Sequence, residues 1–136
     1  MITKRLKTLI LLSIPLYFFH GMEEYFTNFY QIDPISRFAF QYFENMNPLA
    51  ATFLLFQIMI LVLLTISYLL INGGKYILVA LTFFGCVFIF ELHHLIQAAF
   101  GMSYYPGLIT SMFIYMLGLF YWKELILIWK KNYGKN

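Results

Sequence analysis

Charge is what this sequence has least of. Of its 136 residues only 11% are Asp, Glu, Lys or Arg, against 62% hydrophobic and 21% aromatic. No soluble fold of that length could hide so much apolar surface, so lipid is the expected solvent for most of the chain. Cysteine is nearly absent as well. The single Cys86 excludes an intrachain disulfide and, inside an apolar run, reads as a packing residue. No CxxC, Walker, GxGxxG or GxSxG pattern occurs, and no Ser-His-Asp arrangement or other nucleophile stands out. The net charge of +3 does not indicate nucleic acid. The basic residues gather at the ends of apolar runs, with no basic groove lined by aromatics between them.

What is present in quantity is long apolar sequence. Four segments, at about 6–25, 48–71, 76–100 and 106–129, each reach the ~20 residues that cross a hydrocarbon layer as a helix. The expected fold is an all-α, four-helix transmembrane bundle forming a single domain over 1–136. Asn47-Pro48 reads as an N-cap followed by a first-turn proline, and Pro106 is expected in the same role. Asn72-Gly73-Gly74 closes the second span and permits a tight reversal. The start, "MITKRLKTLILLSIPLYFF", has the basic head and apolar core of a signal sequence. No small-x-small cleavage site follows, so it reads as a retained signal-anchor helix.

Orientation follows from lysine and arginine. Lys4, Arg5, Lys7, Lys75, Lys123, Lys130, Lys131 and Lys135 fall on one side and Arg37 alone on the other, which places both termini in the cytoplasm of a multi-pass cell-membrane protein. The loop 26–47 then faces outward. Within it Asp33-Pro34 starts a short amphipathic helix, with Ile35, Phe38 and Tyr42 opposite Arg37, Gln41 and Glu44, expected to lie as an anchor in the membrane interface. A lid over a site is the less favoured role for it.

The few ionisable groups are not scattered. All three histidines and three of the six acids lie in "HGMEE" at 20–24 and "ELHH" at 91–94. At about 1.5 Å per residue, His20 stands ~20 Å above the inner end of the first span. Glu91 and His94 stand ~22 and ~27 Å above the start of the third, which runs the same way. His20, Glu23 and Glu24 follow i, i+3, i+4 spacing, and Glu91 and His94 are i, i+3, so each set shares a helix face. An ionised group facing acyl chains costs at least ~2.5 kcal/mol near a helix centre. The expectation is therefore convergence: the two sets turn inward and meet in the outer half of the bilayer. His93 and Gln97 point to another side of the third span. Tyr105 and Thr110 are placed within supporting reach, while Tyr104 and Tyr105 also suit an interfacial aromatic belt. Glu124, beside Lys123, reads as a solvated surface charge.

Imidazole nitrogens and carboxylate oxygens suit zinc, iron or manganese. His20, Glu23, Glu91 and His94 are the expected ligands, with either Glu23 or Glu24 ligating and the other serving as general base. The function expected is a metal-dependent, hydrolase-like membrane enzyme acting on a lipid or isoprenoid-type amphiphile. Two alternatives stay open. One is metal-free acid–base isomerisation of a hydrophobic substrate by a carboxylate and a histidine. The other is non-enzymatic, with a metal, or haem held by His20 and His93 or His94. Expected partners are membrane lipids and a hydrophobic small molecule; a homo-oligomer is compatible with the sequence, and nucleic acid is not expected.

With "HGMEE" on the first span, "ELHH" on the third and "YYPGLIT" entering the fourth, the chain resembles the bacterial membrane-protein family named for its HxxEE motif. The likeness covers essentially the whole chain. It implies an enzymatic, metal-dependent role at these residues and does not name a reaction.

Overall fold

The computed structural model describes residues 2–133, with all side chains among them except those of Tyr30, Pro48, Thr52 and Phe56; Lys135 lies outside the described residues. Among the described residues the chain is helical throughout, with no strand. In order the helices are α1 (Lys4–Phe26), α2 (Phe29–Ile32), α3 (Pro34–Glu44), α4 (Pro48–Ile71), α5 (Gly74–Phe90), α6 (Leu92–Gly101) and α7 (Leu108–Tyr133).

The ends of these helices follow from local chemistry. Thr3 caps α1 by accepting the Leu6 N–H at 3.1 Å, and Asp33 caps α3 by accepting that of Ser36 at 2.6 Å. Asn47 accepts the Leu49 N–H at 2.9 Å, with Pro48 as the first helical residue of α4, where a missing N–H costs nothing. Gly73 and Gly74 have φ of +63° and +51°, which is why glycine occupies the reversal between α4 and α5. Two expected boundaries shift. Pro106 stands two residues ahead of α7, in the turn, rather than in its first turn. The third apolar segment is interrupted at Glu91, where the backbone stays near helical values but the N–H reaches the Val87 carbonyl only at 3.4 Å.

Three stretches are long and apolar enough to cross a membrane: Leu49–Ile71, Gly74–Gly101 and Leu108–Tyr133. α1 has the length, but Lys4, Arg5 and Lys7 at one end and His20, Glu23 and Glu24 at the other shorten its apolar part.

The chain divides into two compact units, residues 1–29 with 81–136, and residues 30–80. The second contains α3 and α4. On α3 the apolar side chains Ile35, Phe38 and Tyr42 are exposed, and no residue is buried.

The first unit carries the site. There α1 and α6 both pack on α7. The buried positions of α7 are Ser111, Ile114, Gly118, Tyr121, Glu124, Leu125 and Ile128; apart from Glu124 they step by three and four, which keeps one stripe on the neighbouring helices. α1 answers with Leu6, Leu9, Ser13 and His20. Small residues set how closely the helices approach, as expected where lipid removes the hydrophobic drive between them. A Cβ on Gly118 would lie 2.6 Å from the Phe88 Cβ, and one on Gly85 would lie 2.9 Å from the Trp122 ring. Polar ends of large rings tie α7 to α5: Tyr121 donates to the Leu81 carbonyl at 2.6 Å and Trp122 to that of Gly85 at 3.0 Å. At the far end Glu124 is not the solvated charge expected. It is only 8% exposed, because α1 begins against it: Arg5 Nη1 lies 3.3 Å from one oxygen and Thr3 donates to the other at 3.3 Å.

Candidate metal centre

The seam that buries Leu6, Leu9 and Ser13 along α1 also buries His20, which is 4% exposed. Across from it, one turn beyond the buried Phe88, Glu91 is 9% exposed and His94 4%. These three residues offer ligand atoms that all lie within 4.8 Å of one another, a group that could hold a metal ion. The expected convergence of α1 with the third apolar segment is thus realised.

The distances are specific. His20 Nε2 lies 2.9 Å from Glu91 Oε2 and 3.5 Å from Glu24 Oε1. His94 Nε2 lies 3.4 Å from the same Glu24 oxygen and 3.5 Å from the same Glu91 oxygen. Both imidazole nitrogens therefore face Glu91 Oε2 and Glu24 Oε1, with Glu24 outside the three-residue group. Glu91 Oε2 is buried, and its near polar neighbours among the described residues are these two imidazole nitrogens. Close by, the Tyr17 hydroxyl, one turn before His20 on α1, is buried without a hydrogen-bond partner among the described residues.

The opposite edges of the imidazoles are held by the turn between α6 and α7. His94 Nδ1 lies 2.6 Å from the Pro106 carbonyl oxygen. That oxygen can only accept, so Nδ1 carries the proton and the lone pair of the neutral ring is on Nε2, facing the carboxylates. His20 Nδ1 lies 2.7 Å from Thr110 Oγ1. Between them Gly107, with φ +80°, passes beneath both rings; a Cβ there would come within 2.8 Å of His94 and 2.9 Å of His20. Glycine is required at this position twice over, for its backbone conformation and for the space the rings occupy.

Glu23 takes a different course from Glu24. Its Oε2 accepts from the Thr110 N–H at 2.8 Å and the Thr110 hydroxyl at 2.5 Å. Its Oε1 accepts from the Ile109 N–H at 3.0 Å and the Tyr104 hydroxyl at 2.7 Å. The carboxylate so completes the first turn of α7, where unpaired N–H groups and the helix dipole favour an anion. That placement differs from the one expected of a ligand. Partial desolvation, with the Glu23 carboxylate accepting its proton, holds the Tyr104 phenol above the ordinary tyrosine value. It stays a donor through the neutral range.

The remaining expected residues flank this centre. Tyr105 is half-buried and packs its ring against His93, His94 and Phe29 at centroid distances of 5.8, 6.0 and 6.2 Å. His93 lies edge-on to His94 at 5.8 Å and is outside the three-residue group. Gln97 is half-buried one turn further along α6. Phe29, buried 4.9 Å from the His94 ring, and the Pro106 carbonyl were not foreseen. Backbone acceptors and a ring beyond the end of α1 leave no spacing signal.

No curated protein and no solved structure matches this chain. A family model does. The one described as a protein of unknown function with HXXEE motif matches residues 11–122, a stretch that contains every residue of the centre. In this chain the motif is His20, Glu23 and Glu24, and the structure shows its histidine joined to Glu91 and His94 in one buried group. The chain belongs to the HXXEE-motif family.

Proposed function

We propose that the protein is a metal-dependent, hydrolase-like membrane enzyme in which His20, Glu91 and His94 hold a divalent ion and Glu24 is the general base. One observation carries this reading. His20 Nε2 and His94 Nε2 lie 2.9 and 3.5 Å from Glu91 Oε2, in a buried group whose ligand atoms are all within 4.8 Å of one another. Ligands bound tetrahedrally at ~2.0–2.1 Å stand about 3.3 Å apart, so these two separations are close to the edges such an ion requires. Two imidazoles with one carboxylate is a donor set used by catalytic zinc and non-haem iron, and manganese accepts the same atoms. The ion supplies Lewis acidity when bound. Glu24 faces the fourth position through Oε1 and can take a proton from a group placed there.

The surroundings support a substrate class for this reading. An apolar groove of about 550 Å³ runs between α1 and α7, lined by Leu9, Leu12 and Leu16 and by Met116, Leu117 and Phe120. Its outer end is formed by Phe19, adjacent to His20, and Phe113, one turn from Thr110. A lipid or isoprenoid-type amphiphile would lay its chain there and bring its polar end to the centre. The reading further places all four long helices across the cell membrane as a bundle, α1 included, with both termini cytoplasmic and α3 anchored in the outer interface.

The 2.9 Å contact between His20 Nε2 and Glu91 also suits a proton held between them, the metal-free acid–base alternative. Metal analysis of the purified protein separates the two. About one equivalent of zinc, iron or manganese is expected, lost in His94→Ala and Glu91→Gln. A protein without a bound transition metal that also takes up none on titration overturns the metal reading.

A further inference from the structure

We infer that the two glutamates of the motif have separate tasks: Glu24 faces the imidazoles, whereas Glu23 is a positioning residue that sets the tautomer of His20 through the Thr110 hydroxyl. Its consequence for metal affinity rests on the metal-centre reading above. Its geometry rests on hydrogen-bond counting alone.

Four donors converge on the two oxygens of Glu23, so the carboxylate has no room for a proton and acts only as an acceptor. A threonine hydroxyl has one hydrogen. That of Thr110 is committed to Glu23 Oε2 at 2.5 Å, the length of an O–H bond to an ionised oxygen. Among the described residues the competing acceptor, the Gly107 carbonyl, is more distant at 3.4 Å. Toward His20, Thr110 Oγ1 can therefore only accept, and His20 Nδ1 at 2.7 Å must donate. One proton of the ring is held on Nδ1, so Nε2 is the nitrogen left to meet Glu91, Glu24 and His94, as a ligand to a cation or as donor of a second proton to Glu91. Direction runs one way along the chain, from His20 to Thr110 to Glu23, and the α7 amides of Ile109 and Thr110 anchor its far end.

His94 reaches the same state by a shorter route, through the Pro106 carbonyl. The α6–α7 turn thus orients both imidazoles, one by backbone and one by a side-chain relay. Outer-shell partners of this kind are worth ~10–100-fold in metal affinity.

The test uses the full chain in detergent or nanodiscs, metal-free, with ¹⁵N-labelled histidine. Long-range ¹⁵N–¹H correlation spectra report which ring nitrogen carries the proton. His20 is expected as the Nδ1–H tautomer. Thr110→Val, which keeps the shape and removes the hydroxyl, should shift it toward Nε2–H, and Thr110→Ser should restore it. Chelator-competition titration with Zn²⁺ should show affinity falling ~10–100-fold in Thr110→Val and recovering in Thr110→Ser. A His20 Nδ1 without a proton in the unsubstituted protein, or an Nδ1 proton unaffected by Thr110→Val, overturns the inference. A protein that shows the expected tautomers yet takes up no Zn²⁺ supports the relay and removes the metal reading, so the two failures are distinguishable.

Discussion

Gly107→Ala is the most demanding single change for this account of the centre, because its effect on stability and its effect on metal can be worked out separately. At φ +80° an alanine carries a backbone cost of ~1–2 kcal/mol before any contact is considered. Its Cβ would then lie 2.8 Å from His94 and 2.9 Å from His20. To restore the 3.4 Å of ordinary contact the rings must retreat by about 0.6 and 0.5 Å, against a tolerance of ~0.2 Å for metal–ligand bonds. The expected result is a loss of metal affinity well beyond the cost to folding, of order 100-fold or more, with thermal unfolding lowered by several degrees. Gly118→Ala is the control. There the Cβ would meet Phe88 at 2.6 Å, a tighter clash, but 11 residues along α7, about 16 Å from the turn. Overpacking of that kind costs ~1–3 kcal/mol and should leave metal binding intact. Metal content by mass spectrometry, chelator competition and thermal unfolding in detergent give the three readouts. If Gly107→Ala binds metal as tightly as the unsubstituted protein, the α6–α7 turn does not set the position of the imidazoles.

Two further outcomes follow from the same coordinates. Gly21 lies inside the motif, yet a Cβ there would meet nothing within 4 Å; Gly21→Ala in the middle of α1 should raise stability by ~0.5–1 kcal/mol and leave metal content unchanged in the same unfolding and metal assays. For the proposed topology, single cysteines introduced by Lys7→Cys and Lys131→Cys in a Cys86→Ser background should resist an impermeant maleimide in intact cells and react after lysis, whereas Arg37→Cys should react from outside. Labelling of Lys7→Cys from outside would remove α1 as a fourth span.

Much of the fold was legible because apolar length and capping chemistry are local properties. Asp33-Pro34, Asn47-Pro48 and Asn72-Gly73-Gly74 mark helix ends that the structure realises within a residue or two. Glu124 was misread for the opposite reason. Its neighbours in sequence say nothing of Thr3 and Arg5, 121 and 119 positions away, which bury and pair it. At the centre, spacing identified the helix face but could not divide it. Positions i+3 and i+4 fall on either side of i, so side chains at 23 and 24 diverge by about 100° around the helix. Which of them meets His94 and which meets α7 depends on where α6 and α7 stand, and that is tertiary information.

That divergence explains why a motif with two adjacent acids is useful at all. A helix presenting one histidine to a seam between two neighbours has two flanks, and each flank needs something different. On one side stands Glu91 with His94, whose acceptor atoms need a cation or a proton and gain from a second carboxylate, Glu24. On the other stands the start of α7, whose exposed N–H groups need an acceptor and find it in Glu23. Changing either acid would fail on its own flank: an amide in place of Glu24 would bring donors to a site that gathers acceptors, and an apolar side chain in place of Glu23 would take from the Ile109 and Thr110 amides and the Thr110 hydroxyl their shared acceptor. The His20 ring lies between the two environments and touches both, through Nε2 and Nδ1. The proton on Nδ1 is consequently held by the start of α7 while Nε2 is turned to the centre, which makes the packing of α1 on α7 and the chemistry of the site a single structural fact.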